Sequence, residues 1–177
     1  SSAQQKQAAW WFFGDSAGVN FNTTPPSAIT SSNITSNIFN TCATMSDAKG
    51  NLLFYTNGNQ VWNRQHQVIK QGYTYLQAYG TNIIPDPGDP EQYYIFRKVY
   101  LNIVYTKINM RLNNGLGGVD SSATGKADNI IPNYFLTGGL GVLLHQNNRD
   151  YWLISHKANT DSMYAFLISP TGIQSPV

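Results

Sequence analysis

The stretch Asp47-Ala48-Lys49-Gly50-Asn51-Leu52-Leu53-Phe54-Tyr55-Thr56-Asn57-Gly58-Asn59-Gln60-Val61-Trp62 decides the fold class. A polar turn leads into a short apolar and aromatic run. Asn57-Gly58 stops that run, and a second one follows. Aromatic and β-branched runs bounded by turn residues read as strands, and two of them joined through Asn-Gly read as a hairpin. The unit returns twice downstream. Gly88-Asp89-Pro90-Glu91-Gln92 precedes Tyr93-Tyr94-Ile95-Phe96, with Ile103-Val104-Tyr105-Thr106-Lys107-Ile108 after it. Gln146-Asn147-Asn148-Arg149-Asp150 precedes Tyr151-Trp152-Leu153-Ile154, with Met163-Tyr164-Ala165-Phe166-Leu167-Ile168 after it. Upstream, Trp10-Trp11-Phe12-Phe13 ends at Gly14-Asp15. No window carries apolar positions at i, i+3, i+4 and i+7 free of Gly, Pro or Asn, so the pattern is all-β.

The aromatic strands beginning at Leu52, Tyr93 and Tyr151 lie 41 and 58 residues apart, and a recurrence at roughly 40 to 50 residues is the pattern of propeller blades. A four-stranded blade cannot cover both of its faces, so it stacks on its neighbours with aromatic side chains filling the wedge. The sequence therefore predicts a partial β-propeller of antiparallel blades. Residues 10–177 would form about three blade-like units behind a flexible mature N-terminus at residues 1–9. Because propeller rings use about four to eight blades, a longer parent chain or a covering partner is expected. A β-sandwich is the alternative, and the long segments 22–40 and 113–137 suit either fold.

Charged residues make up 11 % of the chain and aromatic residues 13 %, with eleven Tyr. That charge content is under half the roughly 25 % usual in soluble domains and suits β-structure facing the outside medium. The formal net charge is +2, and Arg97-Lys98 is the densest basic pair. No Lys/Arg cluster exists, which disfavours nucleic acid. One cysteine, Cys42, allows neither an internal disulfide nor a Cys-based metal site, and it reads as a small buried hydrophobe. No apolar run approaches the roughly 18 residues of a membrane span, so no transmembrane segment is expected. Ser1-Ser2-Ala3-Gln4-Gln5-Lys6-Gln7 looks like the stub left by signal-peptide cleavage, which favours export.

Candidate chemistry is sparse. His66, His145 and His156 lie far apart, without HxH or HExxH spacing, and read as structural or surface residues rather than metal ligands. No GxSxG elbow or DxDxDG calcium loop occurs. Asp47, Asp86, Asp89, Glu91 and Asp150 sit at turns, where Asp accepts backbone hydrogen bonds. Gly115-Leu116-Gly117-Gly118 and Gly138-Gly139-Leu140-Gly141 read as turns or bulges rather than phosphate loops. Asp128 and Asp161 are the carboxylates on which an alternative reading, an extracellular glycan-active hydrolase, would rest. Tyr73, Tyr75 and Tyr79 alternate with polar residues. They are candidates for stacking on a glycan or anchoring a protein, set against an ordinary strand with one aromatic face inside. Asn22-Thr23-Thr24 and Asn33-Ile34-Thr35 match the N-glycosylation pattern, by chance if the protein is bacterial. The expectation is a non-enzyme with no cofactor, no metal and no catalytic residue.

Three blocks carry a resemblance: residues 11–21 (Trp-Phe-Phe-Gly-Asp-Ser-Ala-Gly-Val-Asn-Phe), residues 42–67 around Gly50-Asn51-Leu52-Leu53-Phe54-Tyr55-Thr56-Asn57-Gly58, and Arg149-Asp150-Tyr151-Trp152-Leu153-Ile154-Ser155-His156. Together they resemble the N-terminal propeller-like region of large Bacteroidota surface proteins associated with gliding motility and exported by type IX secretion. Residues 100–143 match less well. The resemblance implies a secreted or cell-surface location and a binding or scaffold role. Its partners would be other cell-surface or outer-membrane proteins, or surface glycans. Asp15-Ser16-Ala17 and Asp161-Ser162-Met163 look like the short O-glycosylation motif associated with Bacteroidota, making Ser16 and Ser162 candidate acceptors.

Overall fold

The computed structural model describes residues 6–34, 41–70, 78–131 and 136–177, and of Tyr79, Thr137 and Gly138 the backbone alone. Within them the chain forms four antiparallel sheets, meanders in chain order except for the last short strand of the third. The first holds β1 (Trp10–Phe12), β2 (Gly18–Asn20) and β3 (Ser27–Ile29). The second holds β4 (Ala43–Ser46), β5 (Leu52–Thr56), β6 (Val61–Asn63) and β7 (Val68–Lys70). The third holds β8 (Ala78–Asp86), β9 (Asp89–Val99) and β10 (Asn102–Asn109), with β11 (Gly118–Val119) and β12 (Asn129–Ile131) sharing the far edge of β10. The fourth holds β13 (Leu136–Leu144), β14 (Tyr151–Lys157), β15 (Met163–Ser169) and β16 (Gly172–Ile173). No helix among the described residues is long and apolar enough to cross a membrane.

Asp and Asn side chains close the hairpins. Asp47 Oδ1 accepts from the amides of Lys49 and Asn51 at 2.8 and 2.9 Å. Asn57 Oδ1 serves Asn59 and Gln60, Asn63 Oδ1 serves Gln65 and Gln67, and Asn147 Oδ1 serves Arg149 and Asp150. Each side chain mimics a backbone turn, which is why these residues punctuate the apolar runs. At the β8–β9 turn, Asp86 Oδ1 accepts from Gly88 N at 2.9 Å. A Cβ at Gly88 would lie 2.8 Å from the Pro170 carbonyl oxygen, so close approach of the third and fourth sheets demands glycine there. Gly138 and Gly139 fall at the register shift between Thr137 and Leu140 in β13, a bulge.

Three cores separate the four sheets. Phe12, Ile34, Leu52, Tyr55 and Trp62 fill the space between the first and second. Phe54, Met45, Tyr93, Ile95 and Ile108 fill the next. Tyr94, Phe96, Leu136, Leu153 and Phe166 fill the last. β9 shows how one strand serves two cores: Tyr93 and Ile95 point to the second sheet, Tyr94 and Phe96 to the fourth. In β5 the same division needs a bulge. Ser46 pairs with Leu52 and Met45 with Phe54, so Leu53 is the extra residue. Leu52 and Tyr55 thereby join the first core, while Phe54 joins the second. Full burial of each such ring contributes roughly 1.5–3 kcal/mol.

The opening strands of consecutive sheets lie against one another: β1 on β4, β4 on β8, and β8 on β13. β1 runs opposite to β4. Phe12 N bonds to Thr44 Oγ1, Gln7 O accepts from Ser46 N, and Ala48 O accepts from Lys6 N.

Candidate functional site

Alternation along β1 sends Trp10 and Phe12 toward the second sheet and Trp11 outward. Trp11 is 50 % exposed, and Phe13 and Phe21 are 44 % and 45 % exposed. The Trp11 indole donates to Ala8 O at 3.1 Å and meets Phe21 edge-on, with centroids 5.3 Å apart. Trp11 and Phe13 form one wall of an open cavity of about 540 Å³, inside the roughly 300–1,000 Å³ range of small-molecule sites. The opposite wall is Cys42 and Thr44 at the start of β4, and Thr81 and Asn82 on β8. No charged side chain lines it among the described residues. Thr44 Oγ1 accepts from Phe12 N, and Asn82 Nδ2 donates to Leu140 O at 2.9 Å. The chemistry of the two groups leaves a hydroxyl proton to donate and an amide oxygen to accept. Burial pushes the Cys42 thiol above its ordinary range, which makes it a weak nucleophile at neutral pH.

A second candidate surface is the outward side of the fourth sheet. Register aligns Leu143, Trp152 and Leu167 in one row and Ile154 and Ala165 in the next. Leu143 is 59 % exposed and Met163 56 %. His145 lies beside Trp152, with ring centroids 5.6 Å apart. Apolar rows at this exposure form a patch rather than scattered single residues.

The strongest electrostatic cluster is buried between the second and third sheets. Asp128, just before β12, is ion-paired with Lys70 at the end of β7 (3.0 Å) and with Arg97 on β9. Thr106 on β10 donates to the same carboxylate oxygen as Arg97. Arg97 also donates to Thr106 Oγ1 and to Gly58 O, at 3.1 and 3.3 Å. Burial first, then the neighbouring Arg97, hold Lys70 below the usual lysine range, and Asp128 offsets this only in part. Asp161 sits exposed in the loop between β14 and β15. The two carboxylates stand on different elements, and Asp128's partners are Lys70, Arg97 and Thr106.

The other sequence candidates are dispersed. Tyr73 and Tyr75 lie outside the described residues, as does the Tyr79 side chain, whose backbone belongs to β8. His66 Nδ1 is 2.9 Å from the Tyr55 hydroxyl, in a residue at φ +62°. His145 Nδ1 accepts from Asn147 N at 3.1 Å. Asp47, Asp86 and Asp89 each accept a backbone amide. Asp86 also pairs with Lys107 at 2.7 Å. Gly115 ends a short 3₁₀ turn (Asn113–Gly115) before β11, with its carbonyl accepting from Arg64. The amides of Asn22 and Asn33 donate to Gly50 O and His66 O. Ser16 is half-buried in the β1–β2 turn, and Ser162 is exposed. No group of three metal-ligating side chains gathers among the described residues. Sequence reasoning missed Trp11, Phe13, Thr44 and Asn82 as partners. The Trp10-Trp11-Phe12-Phe13 run could have signalled it, because four aromatics in a row cannot all face one core.

Compared with family models, curated proteins and solved structures, the chain matches none.

Proposed function

We propose that this chain is a non-enzymatic binding or scaffold module of a secreted bacterial surface protein, built as part of a β-propeller. It would act outside the cell in adhesion, gliding motility or type IX secretion. The propeller reading is supported by meanders in chain order whose opening strands lie against one another and whose faces share cores. The reversed β1 and the three strands of the first sheet are where it departs from a regular blade series.

The observation that carries the binding role is the open apolar row Leu143–Trp152–Leu167 on the fourth sheet. Rows of the same make-up, turned inward, bind the four sheets to each other, so this one is suited to hold another protein surface. The hydrolase reading gains no support from Asp128, whose partners are structural, or from Asp161, which stands apart. The test is capture of outer-membrane proteins from the producing cells on immobilised protein, compared with a folded Leu143→Glu variant. Capture lost with the charge supports the reading. Equal capture by both proteins, or by neither, counts against it.

A further inference from the structure

The cavity between β1, β4 and β8 combines features that single out one kind of ligand. Its outer wall is aromatic and half-exposed, through Trp11 and Phe13. Its inner wall is uncharged and sets the polar Thr44, Thr81 and Asn82 among Cys42, Ala43 and Ile83. An anionic or cationic ligand would find no counter-charge among the described lining residues. A purely apolar one would strand the Thr44 hydroxyl proton and the Asn82 amide oxygen, which costs free energy once water is excluded. A pyranose has both surfaces, with C–H groups on its ring face and hydroxyls on its rim. We propose that the cavity is a subsite for a neutral carbohydrate, with Trp11 and Phe13 stacking on the sugar face and Thr44 and Asn82 meeting its hydroxyls. The inference rests on the binding-module reading and names the partner class for one surface of it.

Thr81 makes the inner wall rigid. Its hydroxyl donates to Thr41 Oγ1 at 2.8 Å, which ties β8 to the residues leading into β4. The Asn82–Leu140 bond ties β8 to β13. Three sheets therefore fix the polar groups before any ligand arrives, a preorganisation that limits the entropic cost of binding.

Cys42, the single cysteine, lines the same cavity, so its alkylation reports occupancy at one place. The test measures iodoacetamide labelling at mildly alkaline pH, with cellotriose, xylotriose, mannotriose and tri-N-acetylchitotriose as probes. The inference expects at least one trisaccharide to slow labelling several-fold. Trp11→Ala should weaken that protection by roughly tenfold or more, while Trp11→Tyr retains most of it. Trp11 is half-exposed, so the variants should fold; Phe13→Ala is the second variant if one does not. Two outcomes would overturn the inference: no trisaccharide protects, or protection survives Trp11→Ala unchanged. If the sugars fail while Leu143-dependent capture persists, the carbohydrate inference falls and the binding module stands. If both fail, both fall.

Discussion

Arg97 and Asp128, thirty-one residues apart, form an ion pair sealed between two sheets, and Lys70 approaches the same carboxylate from the other side. Two cations share one buried anion. Removing that anion strands both, so Asp128→Ala should cost about 3–5 kcal/mol in urea-induced unfolding. Lys70→Met leaves one cation facing one carboxylate and removes a desolvated charge, so its cost should be well under half of that. Equal costs for the two substitutions would contradict this account of the cluster.

Tyr93 is 6 % exposed. Burial, with Glu91 and Asp47 adding to it, pushes its phenol up to about 12. Burial also raises Tyr55, Tyr94 and Tyr151. The sign is that of a group keeping its proton longer when folded. Below the unfolded value near 10 it has no effect on stability. Between about pH 10 and 12 the unfolded chain releases protons first, so stability falls. Phenolate absorbance should show fewer tyrosines ionising near pH 10 in the native protein than in urea.

At the other end of the scale, the Arg111 guanidinium grips Asp89 through two bonds of 2.8 Å. Its hydrogen bonds hold the carboxyl down at about 2. The stabilisation is present above the ordinary aspartate value and is lost as pH falls toward 2. The pair is largely exposed, so the effect is small and weakened by salt. An Arg111→Gln variant should return the Asp89 resonance in a carboxyl NMR titration to the usual aspartate range.

Gly88 and Gly141 make a paired test. A methyl group at Gly88 would meet the Pro170 backbone at 2.8 Å, so Gly88→Ala should cost about 1–3 kcal/mol by forcing the third and fourth sheets apart. At Gly141 nothing lies within 4 Å. Gly141→Ala should be neutral, or stabilising by up to about 1 kcal/mol through the unfolded chain. Thermal unfolding of the two variants side by side separates contact from backbone entropy.

Large core rings offer a further check. Phe96 has no exposure, and Phe96→Ala should cost about 3–5 kcal/mol. Leu143→Ala, on the open face, should stay within about 0.5 kcal/mol.

The hairpins were legible because β5, β9 and β14 are each the second strand of a sheet. They face a neighbour on both sides or carry a large aromatic on the outer one, so they read as dense apolar runs. Of the opening strands, β1 showed in its aromatic run, but β4, β8 and β13 did not. β8 contains Gly80, Thr81 and Asn82, and β13 contains Gly138, Gly139 and Gly141. Their polar and small residues suit the edge strand of a sheet, in β8 one that lines the cavity, and carry no strand pattern. The cavity was equally hidden, since its walls lie about 30 to 70 residues apart and no motif spans them. Asp128 follows Gly125-Lys126-Ala127 and reads locally as loop. Only the fold brings Lys70 and Arg97 to it.

Because each core is shared by two neighbouring sheets, stability here is distributed pairwise, like links in a short chain. Opening the first or fourth sheet surrenders one shared boundary, whereas opening the second or third surrenders two. Amide exchange should therefore be fastest in β2, β3 and β15 and slowest in β5 and β9, a gradient that follows position in the stack.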